Sequence, residues 1–540
     1  MESGFWTERY EELRTRLDEF CVGKIGSAEL KKVGAPFGIY EQRNGRFMVR
    51  VRVTGGDISL EKLQLIADIS HRNNVGHIHL TTRQCIQLHD VPAENIYSIV
   101  SSCNESEIPF HGGGGDTFRN IFACHHSGVS QNSIFDVMPY AKALSEFMFS
   151  YEKAFTLPRK LKIGFFCCEE ESRKAEFQDL GFVARIINGI EGFAVFGGGG
   201  MGKETAAGIR LLDFIPAENL FRCAKAATDL FHDHGDRSNR AKARLRFFAI
   251  KVGADAFRKI FTDYYNRTDA PSCGKTEINY ISLAGKLKRD FPPRPGSSKP
   301  EAFEKWVAYA TSPTFLSLEI YSADIPVPFG NLGLDELAGI ISILRKTGCD
   351  FLRITQNQNI FLPLVHRDTL PYLFESLSKL DVKFVSPAGD ELPVACVGAK
   401  TCKIGMLDSP SISLEISRRL KNILLKHSGN NSAAISGMIR SIKISGCPNA
   451  CGGHVLAPLG IQGFQKNIEG KIEDFLRILA ADPDTAENGA LPLEKTVLPL
   501  PKAFRLIEII AEDYLNSSSA NFADFIRNYD IACQSRSIEI

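Results

Sequence analysis

Thr355-Gln356-Asn357-Gln358-Asn359 sits between two predicted strands, as Thr81-Thr82-Arg83-Gln84 sits between the strands predicted at His77 to Leu80 and Cys85 to Leu88. Working outward from each, the same order returns. Arg50 to Val91 reads as strand, glycine turn at Gly55-Gly56, helix over Leu60 to Ile69, strand, polar turn, strand. Phe315 to Leu364 reads as strand, turn at Gly330, helix from Asp335, strand, polar turn, strand. Gly56 to Thr82 spans 26 positions and Gly330 to Thr355 spans 25. Order alone is weak, because helices and strands alternate in many enzymes. Matched order at matched distance predicts two related α+β units facing one another.

Around these units the chain divides further. Residues 1–40 read as a helical arm, with Tyr10, Leu13 and Leu17 at helical spacing and a Gly/Pro break at Gly34 to Gly38. A helix is predicted from Pro139 to Tyr151, buried strands at 161–167 and 193–196, and helices over 204–232 and 240–262. The Pro/Lys-rich stretch Lys288 to Lys299 is the linker candidate. Helices follow at Ser411 to Leu425, Phe504 to Tyr514 and Phe522 to Tyr529, with a loop over 481–499.

Composition narrows the class. The 540 residues carry 64 Lys plus Arg against 63 Asp plus Glu, a balance that gives no support to nucleic-acid binding or membrane-surface attachment. Apolar runs are too short for membrane insertion, and Met1 to Arg14 lacks the basic head and apolar stretch of a secretory leader. A cytoplasmic protein is expected, with its 14 cysteines serving as thiols and ligands rather than disulfides.

Four of those cysteines form a pattern. Cys396 and Cys402 are separated by five residues, and Cys447 and Cys451 by three within Ser445-Gly446-Cys447-Pro448-Asn449-Ala450-Cys451-Gly452-Gly453. Two close pairs across a long loop can converge on one metal centre, and the small residues around them let backbone amides reach sulfur. The spacing favours an iron–sulfur cluster over a zinc site, whose pairs are usually closer, or over unligated thiols. The other ten, Cys124, Cys167 and Cys168 among them, show no second four-ligand pattern and read as buried thiols.

Arg50, Arg83, Arg119, Lys160 and Lys162 form a second set. Any one alone reads as a solvated or ion-paired residue. Arg50, however, lies within an apolar strand, and Lys160 and Lys162 straddle Leu161, so an extended segment points both to one face. Two ammonium groups on one face repel unless an anion sits between them. The glycine runs 112–115 and 197–200 match neither a dinucleotide fingerprint nor a phosphate loop, and no flavin or NAD(P)H module is visible.

The cysteine pairs with Cys447-Pro448-Asn449-Ala450-Cys451-Gly452 resemble the cluster motif of the sirohaem-dependent sulfite and nitrite reductases. Phe47-Met48-Val49-Arg50, Thr81-Thr82-Arg83-Gln84 with Gln87, and Asp116-Thr117-Phe118-Arg119-Asn120 resemble that family's first half. Leu157-Pro158-Arg159-Lys160-Leu161-Lys162 resembles its lysine motif, and Thr355 to Asn359 its Thr–Gln–Asn stretch. The resemblance covers most of residues 35–465. It implies an α+β fold with pseudo-twofold repeated ferredoxin-like half-domains plus two α/β sirohaem and iron–sulfur domains. The division expected is 1–44 arm, 45–110 first half-domain, 111–290 first sirohaem-binding domain, 291–385 second half-domain, and 386–540 iron–sulfur and sirohaem domain with a helical tail.

The resemblance further implies one 4Fe–4S cluster on Cys396, Cys402, Cys447 and Cys451, bridged through Cys451 to a sirohaem iron. Arg50, Arg119, Lys160 and Lys162 match the residues around the substrate anion, and Thr81, Arg83, Gln87, Gln358 and Asn449 those holding the macrocycle. The implied reaction is six-electron reduction of sulfite to sulfide, with nitrite reduction to ammonia the alternative. The donor would be a ferredoxin or a separate reductase subunit. A non-catalytic iron–sulfur electron carrier is the alternative of another class. His79 departs from the arginine some members carry there, and Cys124-His125-His126 departs from a common Cys-Pro.

Overall fold

The structure is a computed structural model that describes residues 4–108, 110–274, 280–287, 300–386, 391–426, 432–480 and 492–539; the expected linker at Lys288 to Lys299 lies outside them. Two helices, Gly4–Cys21 and Ser27–Gly34, form the N-terminal arm. Trp6, Leu13 and Leu17 of the first helix, at helical spacing, and Leu30 of the second are buried in the same core as Phe47, Val49 and Val51.

That sheet is built from β1 (Tyr40–Glu41), β2 (Phe47–Val51), β4 (His77–Leu80) and β5 (Ile86–Val91), while the short β3 (Asp57–Ser59) leaves it. The next strands are β6 (Phe122–Ala123), β7 (Ile163–Phe166), β8 (Leu180–Ile187), β9 (Ile190–Gly197) and β10 (Ile209–Pro216). The second half repeats both groups: β11 (Thr311–Pro313), β12 (Ile320–Ile325), β13 (Asn331–Leu332), β14 (Phe351–Ile354), β15 (Ile360–His366), then β16 (Val394–Ala395), β17 (Ile442–Ser445), β18 (Leu459–Ile468), β19 (Lys471–Ala480) and β20 (Leu493–Pro499).

The sheet orders establish the duplication. One sheet runs β1-β2-β5-β4-β13 and its counterpart β11-β12-β15-β14-β3. Each half therefore lends a strand to the other: β13 pairs with β4, Asn331 opposite His79, and β3 pairs with β14, Asp57 opposite Arg353. The remaining sheets also match, β6 to β8 and β16 to β18 pairing in parallel before two antiparallel strands finish each.

The exchange needs glycine at two equivalent places. Gly56 has φ +74° and a Cβ there would lie 2.4 Å from Ile354 O; Gly330 has φ +70° and a Cβ would lie 2.3 Å from Leu80 O. Both departing turns thus press backbone on backbone in a left-handed conformation, where a side chain would clash. The polar turns correspond equally closely. Thr81 Oγ1 accepts from Cys85 N at 2.9 Å, and Thr355 Oγ1 from Asn359 N at 3.1 Å. Gln84 and Gln358 follow with φ +59° and +67°. The register therefore aligns Thr81, not Thr82, with Thr355, and Gln358 with Gln84.

Three local expectations are corrected. Residues 204–232 are not one helix: β10 occupies Ile209–Pro216, and the helix begins at Leu220. Pairing with β9 overrides the helical reading, and Pro216 ends the strand. The expected loop over 481–499 contains β20 at Leu493–Pro499, held by β19. The segment 240–262 holds two helices, Leu245–Val252 and Ala254–Arg267, interrupted at Gly253 with φ +83°. Among the described residues no helix is long and apolar enough to cross a membrane.

Candidate active site

The two sheets of exchanged strands and the two flanking sheets bring the singled-out residues to one region. Phe118 bridges Leu161 in parallel, with Leu161 N donating to Thr117 O and Arg119 N to Leu161 O. This extended segment places Lys160 and Lys162 on one side of the buried Leu161, as the sequence predicts. Both lysines are half-buried, and among the described residues neither forms an ion pair. Burial, then Lys162, Arg244 and Arg119, holds the Lys160 ammonium well below its usual range. Burial, then Arg83 and Arg244, lowers Lys162 to about 7.

Arg119 donates to Gly115 O at 2.7 Å. Burial lowers it to about 10, with Arg50 and Arg159 adding like charge. Arg50 on β2 donates to Gly113 O at 2.8 Å. Gln87, opposite it on β5, accepts from Arg50 at 2.6 and 3.1 Å when its amide is turned oxygen-inward, and then donates to His89. Arg83 donates to Gln178 at 3.1 Å and to Ile163 O at 2.8 Å; burial lowers it to about 10.

Thr81 and Gln358 have local duties. Thr81 closes its turn, and Gln358 donates to Leu80 O and Phe329 O at 3.2 Å, pinning the exchanged strand. Its Oε1 is buried without a partner. Asn449 hydrogen-bonds Cys447 through its side chain and backbone.

The four predicted cysteines lie near one another, although no three of them bring their sulfurs within 4.8 Å. Cys447 interacts electrostatically with Cys396 and Cys402, and Cys451 with Cys396 and Cys447. Gly446 N approaches Cys396 Sγ at 3.4 Å, the amide-to-sulfur contact expected of this segment. Cys451 O accepts from Thr82 Oγ1 at 2.8 Å, locking the cysteine loop onto the first polar turn. Cys451 also interacts with Lys160 and Lys162. Burial raises its thiol to about 11 although its surface is accessible.

Sequence reasoning missed Arg244, Asp179 and Tyr40. Arg244 and Asp179 form a buried ion pair, with contacts at 2.8–3.1 Å, and Asp179 also accepts from Lys162 N at 2.8 Å. Arg244 lies within Lys242-Ala243-Arg244-Leu245-Arg246, whose alternating cations were the available signal and were absorbed into a helix reading. Tyr40 donates no such signal. Burial pushes its phenol up, but Arg119, Arg50 and Arg159 outweigh this and lower it.

Lys160 and Lys162, the two cations acting on Cys451, are linked by mutual repulsion to Arg83, Arg119 and Arg244, and through these to Arg50 and Arg246; Asp179 pairs with Arg244, and Glu204 acts on Arg246. Among the described residues, buried Arg83 Nε, Arg119 Nε and Arg246 Nε have no hydrogen-bond partner. Orphaned donors in a mutually repelling set suit a large polyanion; a macrocycle bearing many carboxylates fits them. A separate group able to hold a metal ion is formed by Cys124, Cys167 and Cys168.

Comparison with known proteins places the chain in a family. Residues 114–268 match the family model described as the nitrite and sulphite reductase 4Fe-4S domain. Residues 40–106 and 318–380 match the nitrite/sulfite reductase ferredoxin-like half domain, the two copies falling on the duplicated sheets. The chain is 25% identical over 467 residues to the assimilatory ferredoxin-dependent nitrite reductase of Haloferax mediterranei, covering 82% of this chain and 75% of that one. It is 27% identical over 456 residues to the sulfite reductase (NADPH) hemoprotein beta-component of Shewanella piezotolerans, covering 77% and 74%. The fold superposes on the Mycobacterium tuberculosis NirA protein with a TM-score of 0.75 at 19% identity, covering 96% and 94%. Duplicated half-domains, matched family models and similarity over most of the chain agree: the chain belongs to the nitrite and sulfite reductase family of oxidoreductases.

Proposed function

We propose that this chain is a sirohaem-dependent sulfite reductase, performing the six-electron reduction of sulfite to sulfide. The observation that carries the reading is the pair Lys160 and Lys162, set beside Cys451 without ion-pair partners among the described residues and flanked by Arg83, Arg119 and Arg244. Cys396, Cys402, Cys447 and Cys451 would hold one 4Fe–4S cluster, and Cys451 would be shared with the sirohaem iron. When bound, these groups supply electrons and a site of metal coordination. Thr81, Arg83, Gln87, Gln358 and Asn449 would line the macrocycle. A ferredoxin or separate reductase subunit would deliver the electrons, as the names of the Haloferax and Shewanella relatives illustrate.

The protein's own part is charge and proton management. Arg50 and Arg119 clamp the anion's oxygens by charge-assisted hydrogen bonds. Lys160 and Lys162 stabilise negative charge as it accumulates on those oxygens. A lysine held near neutrality can give up a proton at its Nζ and regain it from water, as loss of three oxygens as water requires. Tyr40, amid the same arginines, is a second proton-bearing group at the rim.

Nitrite reduction is the second reading, favoured by the similarity to nitrite reductases at comparable identity. Two ammonium groups favour the doubly charged anion over the singly charged one. Metal analysis and visible spectra of protein produced with adequate iron and sirohaem should show one haem iron and four cluster irons per chain. Cys451→Ser should perturb haem and cluster signals together, whereas Cys533→Ser should leave both unchanged. Protein without haem absorption, or a kcat/KM for nitrite tenfold or more above that for sulfite, would overturn the assignment.

A further inference from the structure

Cys124, Cys167 and Cys168 lie outside the cation-lined site, and their sulfurs fall within 4.8 Å of one another. No other group of three His, Cys, Asp or Glu ligands among the described residues is as tight. Cys124 and Cys167 are buried and Cys168 is half-buried. Their surroundings are not those of apolar core thiols. Cys124 Sγ lies 2.8 Å from Glu171 Oε2, Ser133 Oγ lies 3.5 Å from Cys167 Sγ, and Glu171 is paired to Lys174 at 2.5 Å.

The internal duplication says where these thiols stand. Ala123 pairs with Phe165 across β6 and β7, as Ala395 pairs with Ile444 across β16 and β17. The next residues are Cys124 and Cys396. Each donates its backbone N–H to the equivalent carbonyl, Cys124 to Phe165 O at 3.1 Å and Cys396 to Ile444 O at 3.2 Å. Three positions beyond Phe165 is Cys168, and three beyond Ile444 is Cys447. The first half thus carries thiols at the strand ends that bear two of the four cluster cysteines in the second half.

Spacing distinguishes what each set can hold. Tetrahedral zinc with bonds of about 2.3 Å needs its sulfurs roughly 3.8 Å apart. A four-iron cluster spreads its thiolates over separate corners and holds them further apart. The close trio suits one ion. We propose that Cys124, Cys167 and Cys168 bind a single zinc ion, the fourth position being filled by water or by the Glu171 carboxylate, which reaches only Cys124 of the three thiols. Binding displaces the thiol protons to water and changes no oxidation state. The ion would tie the ends of β6 and β7 to the helix Glu169–Ser172, and Ile134 N, donating to Cys167 O at 2.8 Å, would bring the intervening loop with it.

Holoenzyme purified without chelator should contain one zinc per chain in addition to its haem and cluster iron. Its zinc-edge X-ray absorption should show three sulfur scatterers at about 2.3 Å, a measurement blind to haem and cluster. Cys124→Ala and Cys167→Ala should each lose the zinc and retain the haem and cluster spectra; Cys533→Ala should retain all three. Wild-type holoenzyme that holds no zinc after incubation with a zinc salt and a thiol reductant would overturn the proposal, whatever the variants do. So would zinc bound with fewer than three sulfurs, extra iron in its place, or a disulfide among these cysteines in the purified protein.

Discussion

Lys162→Met removes one charge while keeping a side chain of similar length, and it isolates what the second ammonium contributes. Asp179 remains paired with Arg244, so the substitution leaves no unpartnered carboxylate behind. A charge-assisted contact in a desolvated site is worth about 2–3 kcal/mol when its loss is read in the transition state. Coulomb energy scales with the ligand's charge, so a singly charged anion at the same place loses about half as much, roughly 1–1.5 kcal/mol. At 1.36 kcal/mol per decade these become a loss of about 30- to 150-fold in kcat/KM for sulfite and about 5- to 12-fold for nitrite. The assay is steady-state reduction of both anions by the same preparation with reduced methyl viologen, at one pH for both anions, with haem and cluster content measured alongside. Equal losses for the two anions, or a greater loss for nitrite, would refute the idea that Lys162 acts by reading substrate charge.

The same lysine should be visible in stability. Its folded pKa of about 7 lies below its ordinary 10.5, so between those values the unfolded chain binds the extra proton and stability rises with pH. In cofactor-free protein the thermal midpoint of the wild type should therefore gain on that of Lys162→Met as pH rises from 7 to 10; parallel curves would show that the ammonium is not desolvated. The two exchanged strands offer an internal comparison. Asp57→Ala should lower folding stability by about 3–5 kcal/mol because it strands buried Arg353, which reaches Asp57 at 3.0 Å. Asn331→Ala should cost about 1 kcal/mol, since it breaks only the 2.7 Å bond to His79, a histidine that burial holds neutral by lowering it to about 4. Denaturant midpoints that fall equally would contradict this ranking.

Much of this architecture could be read from the chain because it rests on local signals. The polar turns after β4 and β14 and the glycines before β3 and β13 are required by backbone geometry, and so recur at one spacing of 25 residues once Thr81 rather than Thr82 is matched to Thr355. The lysine pair was legible through strand alternation, and the cysteine pairs through proximity in sequence. What escaped depends on contacts without a local trace. The reciprocal strand exchange leaves no mark in either repeat alone. Arg244 reaches Asp179 across 65 residues, and nothing near either announces the other. Cys124 and Cys167 read as unrelated thiols because 43 positions separate them, yet parallel pairing of β6 with β7 sets them side by side.

The strand exchange also constrains how the molecule can be made. His79 and its partner Asn331 stand 252 residues apart. At a synthesis rate of about 5–20 residues per second, the outer edge of the first sheet stays unpaired for roughly 10–50 s after β4 emerges. An open strand edge is the usual template for mistaken association between nascent chains. The first half cannot close its own sheet, nor the second its own, so a chain cut between them yields two fragments that each lack a strand. Such fragments should recover a native sheet pair only when mixed. The halves are thus bound as a clasp is, each supplying the hook for the other's eye, and the cations of the earlier half meet Cys451 only once the later half has been made.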